Sequence, residues 1–318
     1  MLKKILVPLD GSENSRKIVG WATGLARALK AEIILLSVID TQEIAILKNT
    51  IEDLKKGSVD SAIRTPSDVI DETFAQAKGH LQAEADRIQF AGVRTNICVE
   101  SGSPAEVIVS KAHNQNVDVI AMASQRESAL ARGILGSVTD RVLHSTSIPI
   151  FTLYPDDLQD FENTNGRLQR VVVPLDGSSL SETAIEPALE IAVASNSEII
   201  FTEVLRLPFF GVGIAGIEYG GGDYFGDRVI DDQKEEIAGY LNTFVQEAKS
   251  LGLNARASIR IGSPSQQIVD EASEIEKSIV IMGSHGSGGL KRWVLGSVAD
   301  KVVRSARRPV LIIPPNTG

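Results

Sequence analysis

The chain holds a single cysteine, Cys98, among 318 residues. One thiol excludes an intramolecular disulfide framework and a zinc cluster built on cysteines. It also suits a reducing cytoplasm, the location expected here. No apolar run reaches the roughly 18–20 residues that a membrane span needs. The opening MLKKILVPLD carries lysines and then a short apolar run broken by Pro8 and Asp10, too short for the apolar region of a signal peptide. Cations are outnumbered: 32 Lys and Arg face 41 Asp and Glu, a formal net charge of −9. A surface that tracks phosphates along nucleic acid needs clustered cations, so neither nucleic acid nor a membrane is expected as a partner. His80, His113 and His144 fall in separate predicted helices, without the close spacing of metal ligands. No G-x-S-x-G elbow, H-E-x-x-H pair or G-x4-G-K-S/T loop is present, so the serine-hydrolase, zincin and P-loop templates do not apply.

What the chain does hold is itself, twice. VPLDGS at 7–12 recurs at 173–178, 166 residues later. GSP at 102–104 recurs at 262–264, and LGSV at 135–138 recurs at 295–298, each 160 residues later. That period is far beyond a solenoid repeat and has the length of a domain. Domains are expected over 1–153 and 170–318. The polar, acidic, aperiodic stretch 154–169 between them reads as a linker.

Each copy alternates strand and helix. KKILVPL stops at Asp10-Gly11-Ser12, and a helical pattern runs to about Lys30 with Ile18, Trp21, Ala22, Leu25 and Leu29 on one face. EIILLSVI is apolar nearly throughout, as a strand covered on both faces is. A long amphipathic helix is predicted from about Val69 to Phe90, then the strand VRTNICV, in which Cys98 reads as a small core residue. Ser103-Pro104-Ala105-Glu106 has the form of a capping box with proline at the first helical position. VDVIAMA and Ile148–Leu153 complete the first copy. The second repeats the order: RVVVPL, a helix from Ser179, SEIIFTEVL, a helix from about Ile230, ARASIRI, a helix from Ser263, SIVIMG, a helix from Ser297, and PVLIIP. Strands joined through helices pair in parallel with right-handed crossovers. The expected fold is α/β, with two doubly wound parallel sheets of about five strands in tandem.

In such sheets ligands lie beyond the carboxyl ends of the strands, where the strand order switches. Strand one of the second copy ends at Pro174-Leu175-Asp176 and strand four at Met282-Gly283. The loop that follows has the spacing G-x2-G-x9-G-S through Gly283, Gly286, Gly296 and Ser297. Glycines without a Cβ let backbone N–H groups converge, and the helix opening at Ser297 adds unpaired N–H groups and a partial positive charge. Together they suit an anion such as a di- or triphosphate. Lys291 and Arg292 add potential, and Asp176 is placed to accept a hydrogen bond from a base or ribose. A plainer reading accompanies each piece. Ser297-x-x-Asp300 is an ordinary cap pattern that Ser137 and Asp140 repeat. Asp176-Gly177-Ser178 is turn chemistry. His285 reads as a backbone-bonding loop residue rather than a catalyst, and the loop cations as solvated. In the first copy Ala123 and Arg126 replace Gly283 and Gly286. That copy is expected to bind the anion weakly or not at all and to act as a docking partner, with the alternative that Arg126 itself reaches a phosphate.

VPLDGS, GSP, IVIMGSHG, the G-x2-G-x9-G-S spacing and the closing RRPVLIIP resemble the universal stress protein (UspA-like) family, over nearly the whole chain and twice, as in a tandem member. The resemblance implies five-stranded parallel domains of strand order 3-2-1-4-5, of the α-hydrolase-like nucleotide-binding (HUP) type. It implies dimerisation through the last strand, met here by an intramolecular pseudo-dimer, with a homodimer of the whole chain left open. In one subgroup it implies ATP binding, with or without Mg2+. Asp176 and Val204 would meet the adenosine; Gly283, Gly286, Gly296, Ser297 and Val298 would hold ribose and phosphates; Pro174, Leu175, Met282 and His285 complete the nucleotide-binding set. No catalytic residue or metal ligand is assigned. Many members carry Asp at the start of strand four; the first copy keeps it as Asp118, while the second has Ser278, a difference expected to touch packing rather than ligand.

The function expected is a nucleotide-dependent sensor or scaffold in a stress response, holding ATP in the second domain and engaging an unspecified signalling partner. The alternatives are a slow ATP hydrolase, for which His285 alone could serve as base, and an interaction module without nucleotide. The segment 207–227, rich in glycine and aromatics, reads equally as a lid or partner-binding loop and as a poorly ordered excursion, and 41–68 is charged and in part helical.

Overall fold

The computed structural model of the protein describes residues 2–57, 65–123, 135–153, 168–206, 222–284 and 295–315. The chain divides into two compact units, Met1–Arg167 and Leu168–Gly318. The segment 207–221, most of the glycine- and aromatic-rich stretch, lies outside the described residues, as does 154–167 of the expected linker.

The first half runs β1 (Lys4–Pro8), α1 (Glu13–Leu29), β2 (Glu32–Asp40), α2 (Thr41–Gly57), α3 (Pro66–Phe90), β3 (Thr95–Gly102), α4 (Pro104–Asn114), β4 (Val119–Ala123), α5 (Ser137–Leu143) and β5 (Ile150–Leu153). Its strands are all parallel, in the order β3-β2-β1-β4-β5. Helix α1 starts where Ser12 accepts a hydrogen bond from the Ser15 N–H at 3.1 Å. It ends where Lys30 turns left-handed at φ 53. Ile18, Trp21, Ala22, Ala26 and Leu29 recur at helical spacing and are all buried, and Trp21 packs on Phe151 of β5 with ring centroids 6.4 Å apart. The charged segment after β2 is the helix α2.

The second half runs β6 (Arg170–Leu175), α6 (Ser179–Glu182), α7 (Ile185–Ser195), β7 (Glu198–Leu205), α8 (Gly222–Ser250), β8 (Ala255–Ile261), α9 (Pro264–Ser273), β9 (Ser278–Gly283), α10 (Ser297–Ser305) and β10 (Val310–Ile313). Its order, β8-β7-β6-β9-β10, is again 3-2-1-4-5 and again parallel. The registers agree: Pro8 lies opposite Leu36 in one sheet and Pro174 opposite Thr202 in the other. Residue n of β1 and β2 therefore matches residue n plus 166 of β6 and β7.

Several sequence expectations need correction. Ser103 precedes α4 but makes no side-chain cap; Pro104 at the first helical position already removes one unpaired donor. The capping box forms instead at Thr65 and Asp68, which start α3 three residues earlier than expected. The single helix expected from Ser179 is two, α6 and α7. Pro187 lies three positions into α7, has no N–H for the preceding turn and crowds its carbonyl; the matching residue in the unbroken α1 is Trp21.

Cys98 is half-buried rather than in the core. Its thiol donates to Glu100 Oε1 at 3.2 Å, and the same oxygen accepts from Lys111 Nζ at 2.7 Å. Burial pushes the thiol up, which makes it a weak nucleophile. The equivalent strand and helix of the second half carry the opposite polarity. Arg260 of β8 lies 3.2 Å from the fully buried Glu271 of α9 and also bonds Glu274. Glu274 also pairs with Arg170 at 3.0 Å. At the start of strand four, Asp118 Oδ2 accepts from the N–H groups of Lys3 and Lys4 at 2.8 and 2.9 Å. Its counterpart Ser278 is buried and donates to the Ala272 carbonyl. The difference is one of packing, as expected.

Candidate functional site

Two turns bring the candidate residues of the second half together. After β6 the chain bends at Gly177, whose φ of +76 lies in the region glycine tolerates best. Asp176 Oδ1 accepts from Ser178 N–H at 3.2 Å and from Ser178 Oγ at 2.6 Å. Ser178 in turn caps α6 through the Ser181 N–H. The first half builds the same turn, with Gly11 at φ +81 and Asp10 Oδ1 accepting from Ser12 N–H at 2.9 Å. Part of the Asp176 carboxylate therefore serves the fold in both halves, and the side chain stays exposed.

The second connection leads from β9 to α10, and its residues 285–294 lie outside the described residues. Gly296 is the residue before the helix, at φ −62 and ψ 150, and its N–H donates to the Ser284 carbonyl at 2.8 Å. Gly283 lies in β9 in register with Ile313, and the Ser284 N–H donates to the Ile313 carbonyl at 2.8 Å. Neither glycine has a positive φ, so left-handed backbone is not what these positions require. Ser297 is not the cap that its S-x-x-D pattern suggests. It is the first helical residue, α10 has no side-chain cap, and Asp300 pairs with Arg304 at 2.7 Å. Among the described residues the N–H groups of Ser297 and Val298 donate to nothing. Each is one of the unpaired donors that carry the positive end of a helix.

These turns border a crevice of about 710 Å³ at the carboxyl ends of the strands. Pro174, Leu175, Asp176, Val204, Met282, Gly283, Gly296, Ser297 and Val298 all line it. His285 and Gly286 lie outside the described residues, as do Lys291 and Arg292.

The crevice is polarised by residues that sequence reasoning missed. Side chains alternate along β7. Thr202 is fully buried and donates to Glu271 Oε2 of α9 at 2.6 Å, so Val204 shares that face. Glu203 turns the other way, toward α8. Burial, then the charges of Asp176 and Glu236, push its carboxyl up. Tyr240 of α8 donates to Glu182 Oε1 at 2.9 Å, and its phenol is pushed up by burial and then by Glu182. One side of the crevice is thus acidic, through Asp176 and Glu203. Arg206 borders it just past the end of β7, and also borders an adjoining pocket of about 410 Å³ with Ser263, Ser265, Ser297, Val298 and Lys301. Neither Arg206 nor Lys301 forms an ion pair with another described residue. The starts of α9 and α10, with two cations, make this end positive.

The first half has a crevice of similar size, about 710 Å³, at the matching place. Its chemistry differs. Asp40 stands where Arg206 does and lines the crevice with Gly136, Ser137 and Val138 at the start of α5. Ser37 replaces Glu203. Arg16, which lines this crevice at the sequence position of Glu182 in the second half, pairs with Glu84 of α3 at 3.3 Å. Ala123 lines this crevice, and Arg126 lies outside the described residues. The comparison EIILLSVID with EIIFTEVLR holds the signal for both exchanges.

No described residues form a group of three or more His, Cys, Asp or Glu able to hold a metal ion.

The sequence model of the universal stress protein family matches residues 1–153 and again 167–314. The chain belongs to the universal stress protein family. A universal stress protein of Mycolicibacterium smegmatis is 24% identical over 323 residues, covering 98% of this chain and 97% of that one. Universal stress protein YxiE of Bacillus subtilis is 30% identical over 145 residues, covering 45% of this chain and 97% of its own. The crystal structure of a universal stress protein from Archaeoglobus fulgidus superposes with a TM-score of 0.68 at 24% identity, covering 99% of each chain. This universal stress protein shares that fold, with the two family domains in tandem. None of its described helices is long and apolar enough to cross a membrane.

Proposed function

We propose that this universal stress protein binds ATP in its second half and works in the cytoplasm as a nucleotide-dependent sensor or scaffold. The observation that carries the reading is the uncapped start of α10. Its Ser297 and Val298 residues line a crevice that Arg206 also borders and to which Asp176 and Glu203 contribute carboxylates. A nucleotide has the complementary polarity. Its phosphates are anions for helix N-termini and cations, and its base and ribose offer hydrogen-bond donors for carboxylates. Val204 and Met282 supply apolar surface between. His285 and Gly286 complete the proposed set, with Pro174, Leu175, Gly283 and Gly296 forming close backbone walls.

The same physics argues against the first half as an anion site. Asp40 places a negative charge at the start of α5, where the second half has Arg206. We assign that half to pairing with the second, and Mg2+, when present, to the phosphates rather than to protein ligands. Titration calorimetry of the full chain with ATP tests the reading. One ATP per chain is expected. No heat of binding, or two equivalent sites, overturns it.

A further inference from the structure

Helix α6 is a single turn, Ser179–Glu182, and the Asp176-Gly177-Ser178 turn leads directly into it. One helical turn does not sustain itself, because its nucleus fixes more backbone than its hydrogen bonds repay. Nor does α7 back it. Pro187 has no N–H to offer the Thr183 carbonyl, and α7 starts afresh at Ile185. In the first half the same stretch opens α1, which is continuous over 17 residues. The side-chain hydrogen bonds of Ser178 and Ser181 stay within the turn itself. The tie to another element comes from Glu182. Tyr240 Oη of α8 donates to Glu182 Oε1 at 2.9 Å, the one hydrogen bond between α6 and α8 among the described residues. Tyr240 is itself fixed. Its ring stands edge-on to Phe244 with centroids 5.1 Å apart, and Phe244 lies 5.8 Å from Phe201 of β7. Burial and then Glu182 push the phenol up, so it stays a donor across the neutral pH range.

We infer that Tyr240 is a positioning residue that, through Glu182, latches α6 to α8 and so holds the turn carrying Asp176 in the arrangement that borders the crevice. This rests on the nucleotide reading above. Neither Tyr240 nor Glu182 lines the crevice, so the effect runs through the turn and sets the fraction of molecules in which α6 is seated. A ligand that needs the seated turn binds more weakly in proportion as that fraction falls. One partly buried hydrogen bond to a charged acceptor sets the scale at about fivefold. The first half reaches the same end by other means, an unbroken α1 and the Arg16–Glu84 ion pair at 3.3 Å. Where Pro187 breaks the helix, Tyr240 supplies what helix continuity supplies in the other copy.

The test starts from Tyr240→Phe, which removes the hydroxyl and keeps the ring on Phe244. In amide spectra of the isotope-labelled full chain without ligand, the Gly177, Ser178 and Ser179 resonances are expected to shift and broaden in this variant. Those of the matching Gly11, Ser12 and Glu13 are expected to stay as in wild type. Calorimetric titration of the full chain with ATP is expected to show affinity lower by about fivefold. Glu182→Gln keeps a carbonyl acceptor and is expected to leave both readouts near wild type. Glu182→Ala is expected to match Tyr240→Phe. The double variant of Tyr240→Phe and Glu182→Ala is expected to be no worse than either single, since all three lose the same bond, whereas separate packing defects would add. Unmoved Gly177 and Ser178 resonances in Tyr240→Phe, unchanged ATP affinity, or additive losses in the double variant each overturn the inference while leaving ATP binding in place. A wild type that takes up no ATP overturns the reading beneath it, and the positioning role with it.

Discussion

Arg206, just past the end of β7, and Asp40, the last residue of β2, occupy equivalent positions in the two halves, each lining a crevice with the first residues of the helix that follows the fourth strand. One residue thus reverses the sign of charge offered to an anion there. Arg206 is exposed and makes no ion pair with a described residue, so its replacement costs little stability. Arg206→Asp is expected to weaken ATP binding by about tenfold or more, since two charge units change beside the phosphates. Its melting temperature is expected to stay near that of wild type. Unchanged affinity would remove Arg206 from the site.

Glu203 gives a stability prediction of definite sign. Its carboxyl is pushed up by burial and by Asp176 and Glu236, so the folded state holds the proton more tightly than the unfolded chain. That contribution is complete below the ordinary carboxylate range and is lost as pH rises through the elevated value. At neutral pH the ionised side chain destabilises the fold. Glu203→Gln is expected to melt higher than wild type at pH 7, with the gain vanishing near pH ~4. A variant that melts lower than wild type at pH 7 would contradict this.

The ion pairs between strand three and its helix are reversed in polarity between the halves: Glu100 with Lys111, Arg260 with Glu271. Glu271 is fully buried, and removing one member of a buried pair costs ~3 kcal/mol or more. Glu271→Lys puts a third cation beside Arg256 and Arg260 and is expected to be severely destabilising. Adding Arg260→Glu recreates the arrangement of the first half. The double variant is expected to unfold at higher urea than Glu271→Lys alone. A double variant no more stable than the single would show that the pairs are not equivalent.

Acid tests the same network. Glu274 is held below the usual carboxylate range, first by the hydrogen bond from Arg260 and then by Arg170. Its contribution is present above the ordinary carboxylate pKa and is lost as pH falls through the lowered one. Arg260→Met is therefore expected to lag wild type most at neutral pH, with the gap narrowing in acid. A gap of constant size from pH 7 to pH 3 would argue against it.

Much of this fold was legible because duplicated landmarks constrain each other. VPLDGS, GSP and LGSV mark the same strand ends in both halves, and apolar runs between helical patterns lead to parallel sheets. The site was less so. Ser297-x-x-Asp300 looks like a cap, yet Ser297 is inside the helix and Asp300 is bound to Arg304; only coordinates separate the two. Glu203 and Arg206 were hidden in a strand read for its apolar content, though alignment with Ser37 and Asp40 exposes them. Cys98 follows an apolar pattern but sits on a strand face where Glu100 and Lys111 meet, a pairing between strand and helix that periodicity alone does not reveal.

The most direct measurement is the amide spectrum of the isotope-labelled full chain during titration with ATP. The account predicts that the Ser297 and Val298 N–H resonances move strongly as they gain an anionic acceptor, while those of Ser137 and Val138 stay in place. Still resonances at Ser297 and Val298, or equal movement in the two halves, would contradict it.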